Sequence, residues 1–345
     1  MRQIRMRREV AELTDKQSLL EIKDLHIEFQ VDRRRVQAVN GVHLRVNPGQ
    51  SVGIVGESGC GKTVTSYSIL QILPRAASIV SGEINFRKRD GTLIDIAQLN
   101  PKGKEIRSIR GEEIAMVFQE PMTTLSPVHT IGNQMVETIM LHQSVEKEQA
   151  RSQAIELLDQ VGIPNPGQRI DEYSFQFSGG MRQRAMIALA LACNPSLLIA
   201  DEPTSALDVT IQAQVLQLMR QLQEERGLSM IMITHDLGVV AHMVDHLYVM
   251  YLGIVVEEGP VVEIFDNPLH PYTKGLLQSI PRLSGTKGKL KSISGSVPDY
   301  LPKGCPFHTR CQSVKGDICK QQLPVAIYDD RGHSVSCHLY AEGGN

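Results

Sequence analysis

The eight residues Gly-Glu-Ser-Gly-Cys-Gly-Lys-Thr, from Gly56 to Thr63, follow the apolar stretch Val52 to Val55 and lead into a segment of helical character. Their spacing, a glycine, four residues, then Gly-Lys-Thr, fits a phosphate-binding loop. The glycines Gly56, Gly59 and Gly61 let the backbone turn so that successive N–H groups, from Glu57 through Ser58 and Cys60, converge on phosphate oxygens. The helix that follows adds the positive end of its dipole. Lys62 is expected to reach the β- and γ-phosphates, and the Thr63 hydroxyl to ligate Mg²⁺. A second threonine at position 64 would extend the hydroxyl set, but it is not applicable here, because the sequence reads Val64 and the set ends at Thr63. The competing reading is a glycine-rich turn with Lys62 merely solvated.

A chain of 345 residues holds one large α/β domain with an appendage, or two modest domains. With 36 basic against 38 acidic side chains, it lacks the broad basic footprint of a nucleic-acid binder. The apolar runs Met186 to Cys193 and Leu197 to Ala200 are split by Asn194-Pro195-Ser196, short of the roughly 20 residues a membrane span needs. Arg2, Arg5, Arg7 and Arg8 resemble the start of a signal peptide, but Thr14, Asp15 and Lys16 interrupt before any apolar region forms. A basic flexible or docking tail is therefore expected over residues 1–18.

Alternation of Leu20, Ile22, Leu25, Ile27 and Phe29 predicts a half-buried strand from Leu19 to Phe29, followed by a strand from Val36 to Val46. Phe29 is open to two readings, a ring stacked on a purine or a core side chain. Ser51 to Val55 is a strand delivering the chain to the phosphate loop, and Ser81 to Gly111 reads as strand and loop. Ile114 to Phe118 is a short strand ending at Gln119, and Pro121 and Pro127 keep the following residues in a loop. Helical spacing marks Ile131 to Met140 and Lys147 to Val161.

Ser178-Gly179-Gly180 then opens an apolar helix, Ala185 to Cys193. A hydroxyl, free N–H groups and a dipole make a second anion site there, or else an ordinary cap. Leu197 to Asp201 reads as a buried strand with two carboxylates at its end, Asp201 placed to hold Mg²⁺ and Glu202 to take a proton from water. Ser205 to Asp208 forms a turn before a long helix, Val209 to Arg226. The strand Met230 to Thr234 ends at His235, expected to contact a γ-phosphate.

Taken in order, Gly56 to Thr63, Gln119, Ser178-Gly179-Gly180, Asp201-Glu202, Ser205 to Asp208 and His235 resemble the Walker A, Q-loop, signature, Walker B, D-loop and switch elements of ATP-binding-cassette (ABC) ATPases. The resemblance covers Leu19 to about Phe265. It implies an α/β P-loop core, with a mixed sheet, an antiparallel β subdomain and a helical signature subdomain at about 120–190. It also implies a head-to-tail pair in which each ATP lies between one subunit's phosphate loop and the other's signature. Phe29 then matches the adenine-stacking position, Lys62, Gln119, Glu202 and His235 are the catalytic set, and Thr63, Gln119 and Asp201 are the Mg²⁺ ligands. Phe177 stands where leucine is commoner, which leaves the phosphate contacts of Ser178 to Gly180 intact.

After Phe265 the composition changes, and residues 266–345 read as a separate extension. Four of the six cysteines, Cys305, Cys311, Cys319 and Cys337, fall there, separated by five, seven and seventeen residues. Clustered thiolates suit a metal centre. Spacing alone leaves iron–sulfur and zinc open, with His308, His333 and His338 as alternative zinc ligands. The Asn-Pro-Leu-His-Pro-Tyr-Thr segment from Asn267 to Thr273, with Gly304-Cys305-Pro306-Phe307 to Arg310-Cys311 and Gly332-His333 to Cys337-His338, is similar to the C-terminal extension of oligopeptide and dipeptide importer ATPases. That resemblance implies a [4Fe-4S] cluster on the four cysteines. It also implies two membrane permease partners, received at the Gln119 to Ser126 loop, and a second, related ATPase subunit. An extracytoplasmic solute-binding protein and a place on the cytoplasmic face of the membrane follow from the same likeness. Two other functions compete: a nucleic-acid-acting cassette ATPase with a zinc ribbon, and a P-loop kinase, in which Ser178-Gly179-Gly180 has no role.

Overall fold

Leu197–Asp201 and Ile114–Val117 are buried at every residue and pair in parallel, Ile114 opposite Leu197 and Val117 opposite Ala200. Continuous apolar runs take this arrangement because both faces of such strands are covered. The computed structural model describes residues 18–32, 34–119, 124–205, 207–279, 293–298 and 300–341. Most of the basic tail, residues 120–123 of the proline-containing loop, Ala206 of the D-loop and residues 280–292 of the linker lie outside the described residues. The chain divides into two units.

The first unit comprises residues 1–21, 45–50 and 85–232. Its strand Ser229–Ile233 lies beside Leu197–Asp201. Helices Ile131–His142, Lys147–Gln160 and Gly179–Ala190 pack on one another, burying Met135, Ile139, Ala154, Leu158 and Met186. Gly132 lets two segments approach closely: its N–H donates to the Ile170 carbonyl at 2.7 Å, where a Cβ would stand 2.6 Å from Ile170 Cγ1. The segment expected as strand and loop also contains a helix, Lys104–Ile109. Six residues are too few to show a helical period. The helix opened by Ser178-Gly179-Gly180 runs Gly179–Ala190, capped by the Ser178 hydroxyl, and ends three residues before the expected Cys193.

The second unit comprises residues 22–44, 51–84 and 233–345. Ser51–Val55 pairs in parallel with His246–Tyr251, which pairs antiparallel with Ile254–Pro260. Beyond residue 266 the chain returns to this sheet. Ser334–Val335 pairs antiparallel with Glu257 and Glu258, and Ile327–Tyr328 pairs with it in turn. A second sheet sets Leu20–Val31 between Arg34–Val46 and Ala77–Arg87, the two hairpin strands running two residues beyond their expected tips.

A buried carboxylate fastens the extension. Glu257, 1% exposed, accepts the N–H groups of Leu269 (2.7 Å) and His270 (2.8 Å), and its Oε1 lies 2.8 Å from His333 Nε2. Burying a carboxylate is tolerable only when its lone pairs are filled in this way.

Candidate nucleotide site

In the second unit the phosphate loop leaves Ser51–Val55 and enters helix Lys62–Ile69. Gly61, at φ 102°, is the turn point, and a Cβ there would meet the Ala38 carbonyl oxygen at 2.5 Å. Only glycine fits. The Lys62 ammonium is buried and folds over the loop, donating to the carbonyls of Gly56 (2.8 Å) and Glu57 (3.1 Å). Thr63 and Val64 follow in the first turn of the helix, both half-buried. A threonine at position 64 is corrected by the sequence itself: Val64 has no side-chain oxygen, so it contributes packing and no ligand, and Thr63 carries the loop's terminal hydroxyl alone. Burial pushes the Cys60 thiol above its ordinary pKa, with the nearby Lys62 opposing, so Cys60 is a filler rather than a nucleophile. His235 is exposed just past the strand Ser229–Ile233. Phe29 is half-buried on Leu20–Val31.

The Glu57 side chain turns away from the loop to Arg310 of the extension, with contacts of 2.6 and 3.0 Å. The Glu57 N–H donates to the Tyr272 hydroxyl at 2.8 Å. Tyr251, Tyr272 and Phe307 pack around this junction, with ring centroids 4.7 to 5.4 Å apart. Sequence reasoning missed Arg310, which lies 253 positions from Glu57 and whose only signal along the chain is its adjacency to Cys311.

In the first unit, Asp201 is buried at the carboxyl end of its strand, and Glu202 follows in the left-handed region, φ 46°. A non-glycine residue held there costs on the order of 1–3 kcal/mol, and such positions gather at functional sites. Gln119, at the carboxyl end of the paired strand, donates its side-chain N–H to Glu202 Oε2 at 2.9 Å. Asp208 caps Val209–Arg226 by accepting the N–H groups of Thr210 and Ile211, each at 3.1 Å.

Ser178 and Gly179 are exposed, while Phe177 beside them is buried and anchors the turn. The Ser178 hydroxyl accepts the Met181 N–H at 3.3 Å. Gly180 is required by packing, since a Cβ would lie 2.8 Å from Ile211 Cγ2.

In the extension two of the four sulfurs accept a backbone N–H, Cys311 from Ser313 (3.3 Å) and Cys319 from Lys315 (3.3 Å). Burial pushes the Cys305 thiol up to about 12, opposed by the Phe307 N–H and reinforced by charge on the other three sulfurs, so the four lie within electrostatic reach of one another. This donor set is chemically suited to a thiolate-bound group. Among the described residues, however, no group of three or more His, Cys, Asp or Glu side chains is arranged to hold a metal ion. The three candidate zinc histidines are engaged otherwise: His308 with the Cys305 carbonyl, His338 with that of Gln322 and His333 with Glu257.

A phosphate loop, paired carboxylates at strand ends and a serine-capped glycine turn define a P-loop ATPase cassette. Residues 39–205 match the family described as ABC transporter, and residues 256–319 that described as Oligopeptide/dipeptide transporter, C-terminal region. The dipeptide transport ATP-binding protein DppD of Bacillus subtilis is 46% identical over 94% of this chain and 95% of its own length. The oligopeptide transport ATP-binding protein AppD of the same organism is 46% identical over 95% and 98%. Among solved structures, the dimeric post-hydrolysis state of the ATP-binding cassette MJ0796, bound to ADP and Pi, gives a TM-score of 0.61 at 27% identity. That match covers 70% of this chain and 98% of the cassette. The chain belongs to the ABC transporter family, as an ATP-binding subunit that hydrolyses ATP. Among the described residues no helix is long and apolar enough to cross a membrane. Membership of this importer family implies membrane permease partners.

Proposed function

We propose that this subunit drives uptake of peptides through two permease subunits, paired with a second, related ATPase subunit and fed by an extracytoplasmic binding protein. The observation that carries the reading is the exposed, serine-capped turn at Ser178 and Gly179. The first-turn N–H groups of a helix lack intrahelical acceptors, which suits this exposed turn to a nucleotide held by another subunit. The extension match and the peptide-transporting relatives support the cargo.

In this reading Lys62 and the backbone from Gly56 to Thr63 neutralise phosphate charge. Glu202, oriented by Gln119, accepts the proton of the attacking water, and His235 contacts the γ-phosphate. Thr63, Gln119 and Asp201 would hold Mg²⁺, which supplies further neutralisation of phosphate charge. Phe29 offers its ring to the adenine, and Asp208 belongs to the face presented to the neighbouring subunit. Residues 19–265 form the cassette and 266–345 the extension. The four cysteines would hold a [4Fe-4S] cluster, a reading supported by the N–H···S bonds at Cys311 and Cys319.

Reconstitution with the permeases in vesicles tests the function. ATP-dependent uptake of a labelled dipeptide, abolished by Ser178→Arg, is expected; uptake of oligosaccharide or nickel chelate but not peptide would reassign the cargo. Iron and sulfide analysis of anaerobically purified protein tests the cluster. About four of each per chain supports it, and one zinc per colourless chain overturns it.

A further inference from the structure

We propose that the C-terminal extension builds one wall of the nucleotide site, gripping the phosphate loop through Arg310 and enclosing the base end of the nucleotide with Val297, Pro298, Tyr300 and Leu301. The inference rests on the reading that ATP binds at Gly56 to Thr63. Two independent observations carry it.

The first is the grip. Arg310 is 5% exposed at its side chain and clasps both oxygens of Glu57. The same guanidinium donates to the Tyr251 hydroxyl at 3.3 Å and, through Nε, to the Ser294 carbonyl at 3.2 Å. A two-point arginine–carboxylate pair fixes orientation as well as distance. The conformation of the loop at Glu57 is thereby tied to the extension, and Ser294 is tied to the same guanidinium.

The second is the enclosure. A cavity of about 770 Å³ lies beside the loop, within the size range of small-molecule sites. Val36, Ser58 and Gly59 line one side, and Val297, Tyr300 and Leu301 of the extension line the other. Apolar Val36, Val297 and Leu301 share its lining with the charged Glu28, Arg34 and Arg35, a mixture that suits the base and ribose end of a nucleoside triphosphate. The Tyr300 side chain is 68% exposed, so its ring is accessible to a planar base. Arg310 is thus a positioning residue, and Tyr300 a base-contacting one.

The test measures binding of ATP and of inorganic tripolyphosphate to the full chain by calorimetry. Tyr300→Ala should weaken ATP roughly tenfold and leave tripolyphosphate unchanged, because only the base is lost as a contact. Arg310→Gln should weaken both ligands, with partial recovery in Arg310→Lys. Tyr300 is exposed, so its variant keeps the test sound should Arg310→Gln fail to fold. Wild-type affinity for ATP in Tyr300→Ala, or equal loss of ATP and tripolyphosphate, overturns the wall. Failure of the wild-type chain to bind either ligand overturns the phosphate-loop reading itself.

Discussion

Gln119 and Glu202, 83 positions apart, meet at 2.9 Å where two parallel strands end, the amide donating to the carboxylate. The Glu202 backbone sits at φ 46°, so its side chain is held by a left-handed turn on one side and an amide on the other.

Glu202→Gln should retain ATP affinity while turnover falls about 10²- to 10⁴-fold, since only the proton-accepting group is lost. Gln119→Ala should lower turnover less, because it removes orientation rather than the base. Phosphate release by the assembled transporter measures both. Wild-type turnover in Glu202→Gln would remove that residue from the role of base.

The signature turn is limited by packing. Gly180→Ala brings a Cβ to 2.8 Å from Ile211 Cγ2, and overpacking of this kind costs about 1–3 kcal/mol. Ile211→Ala in the same chain should recover part of the loss in urea unfolding. Equal destabilisation in the single and double variants would show that the clash is not the cause.

Removing the Glu257 carboxylate strands two buried N–H groups and the His333 ring. Glu257→Ala should therefore destabilise the chain by about 3–5 kcal/mol, and Glu257→Gln by less, since its carbonyl still accepts one hydrogen bond. Urea midpoints compare the two. A mild effect in Glu257→Ala would mean that the extension is held elsewhere.

His270 predicts a pH dependence. Burial, reinforced by the nearby Lys274, pulls its pKa from 6.5 down to about 3. The unfolded chain takes up this proton from about pH 6.5 downward and the folded chain only near pH 3. Stability is complete above pH 6.5 and declines as pH falls toward 3, by about 2 kcal/mol at pH 5. His270 Nδ1 accepts the Tyr272 N–H at 3.1 Å. His270→Asn can preserve that cap and should flatten the decline between pH 7 and pH 5. An unchanged slope would assign the acid sensitivity to another group.

The phosphate loop, the signature turn and the carboxylate pair were legible because each is local: a few adjacent residues fix a turn, a cap or a strand end. Boundaries were less so. Lys104–Ile109 is too short to show a period, and the helix opened at Ser178 stops at Ala190 although the apolar run continues to Cys193. The four cysteines were conspicuous in the sequence, but the N–H···S bonds of Cys311 and Cys319 and the engagement of His308, His333 and His338 required the folded backbone.

By itself the sequence determined the class of chemistry, because phosphate binding and water activation depend on residue types at fixed short spacings. Only the tertiary structure decided that the extension belongs to the phosphate loop. An arginine and a glutamate 253 positions apart carry no mutual signal along the chain, and become partners only when the sheet from Ser51–Val55 to Ser334–Val335 brings them together.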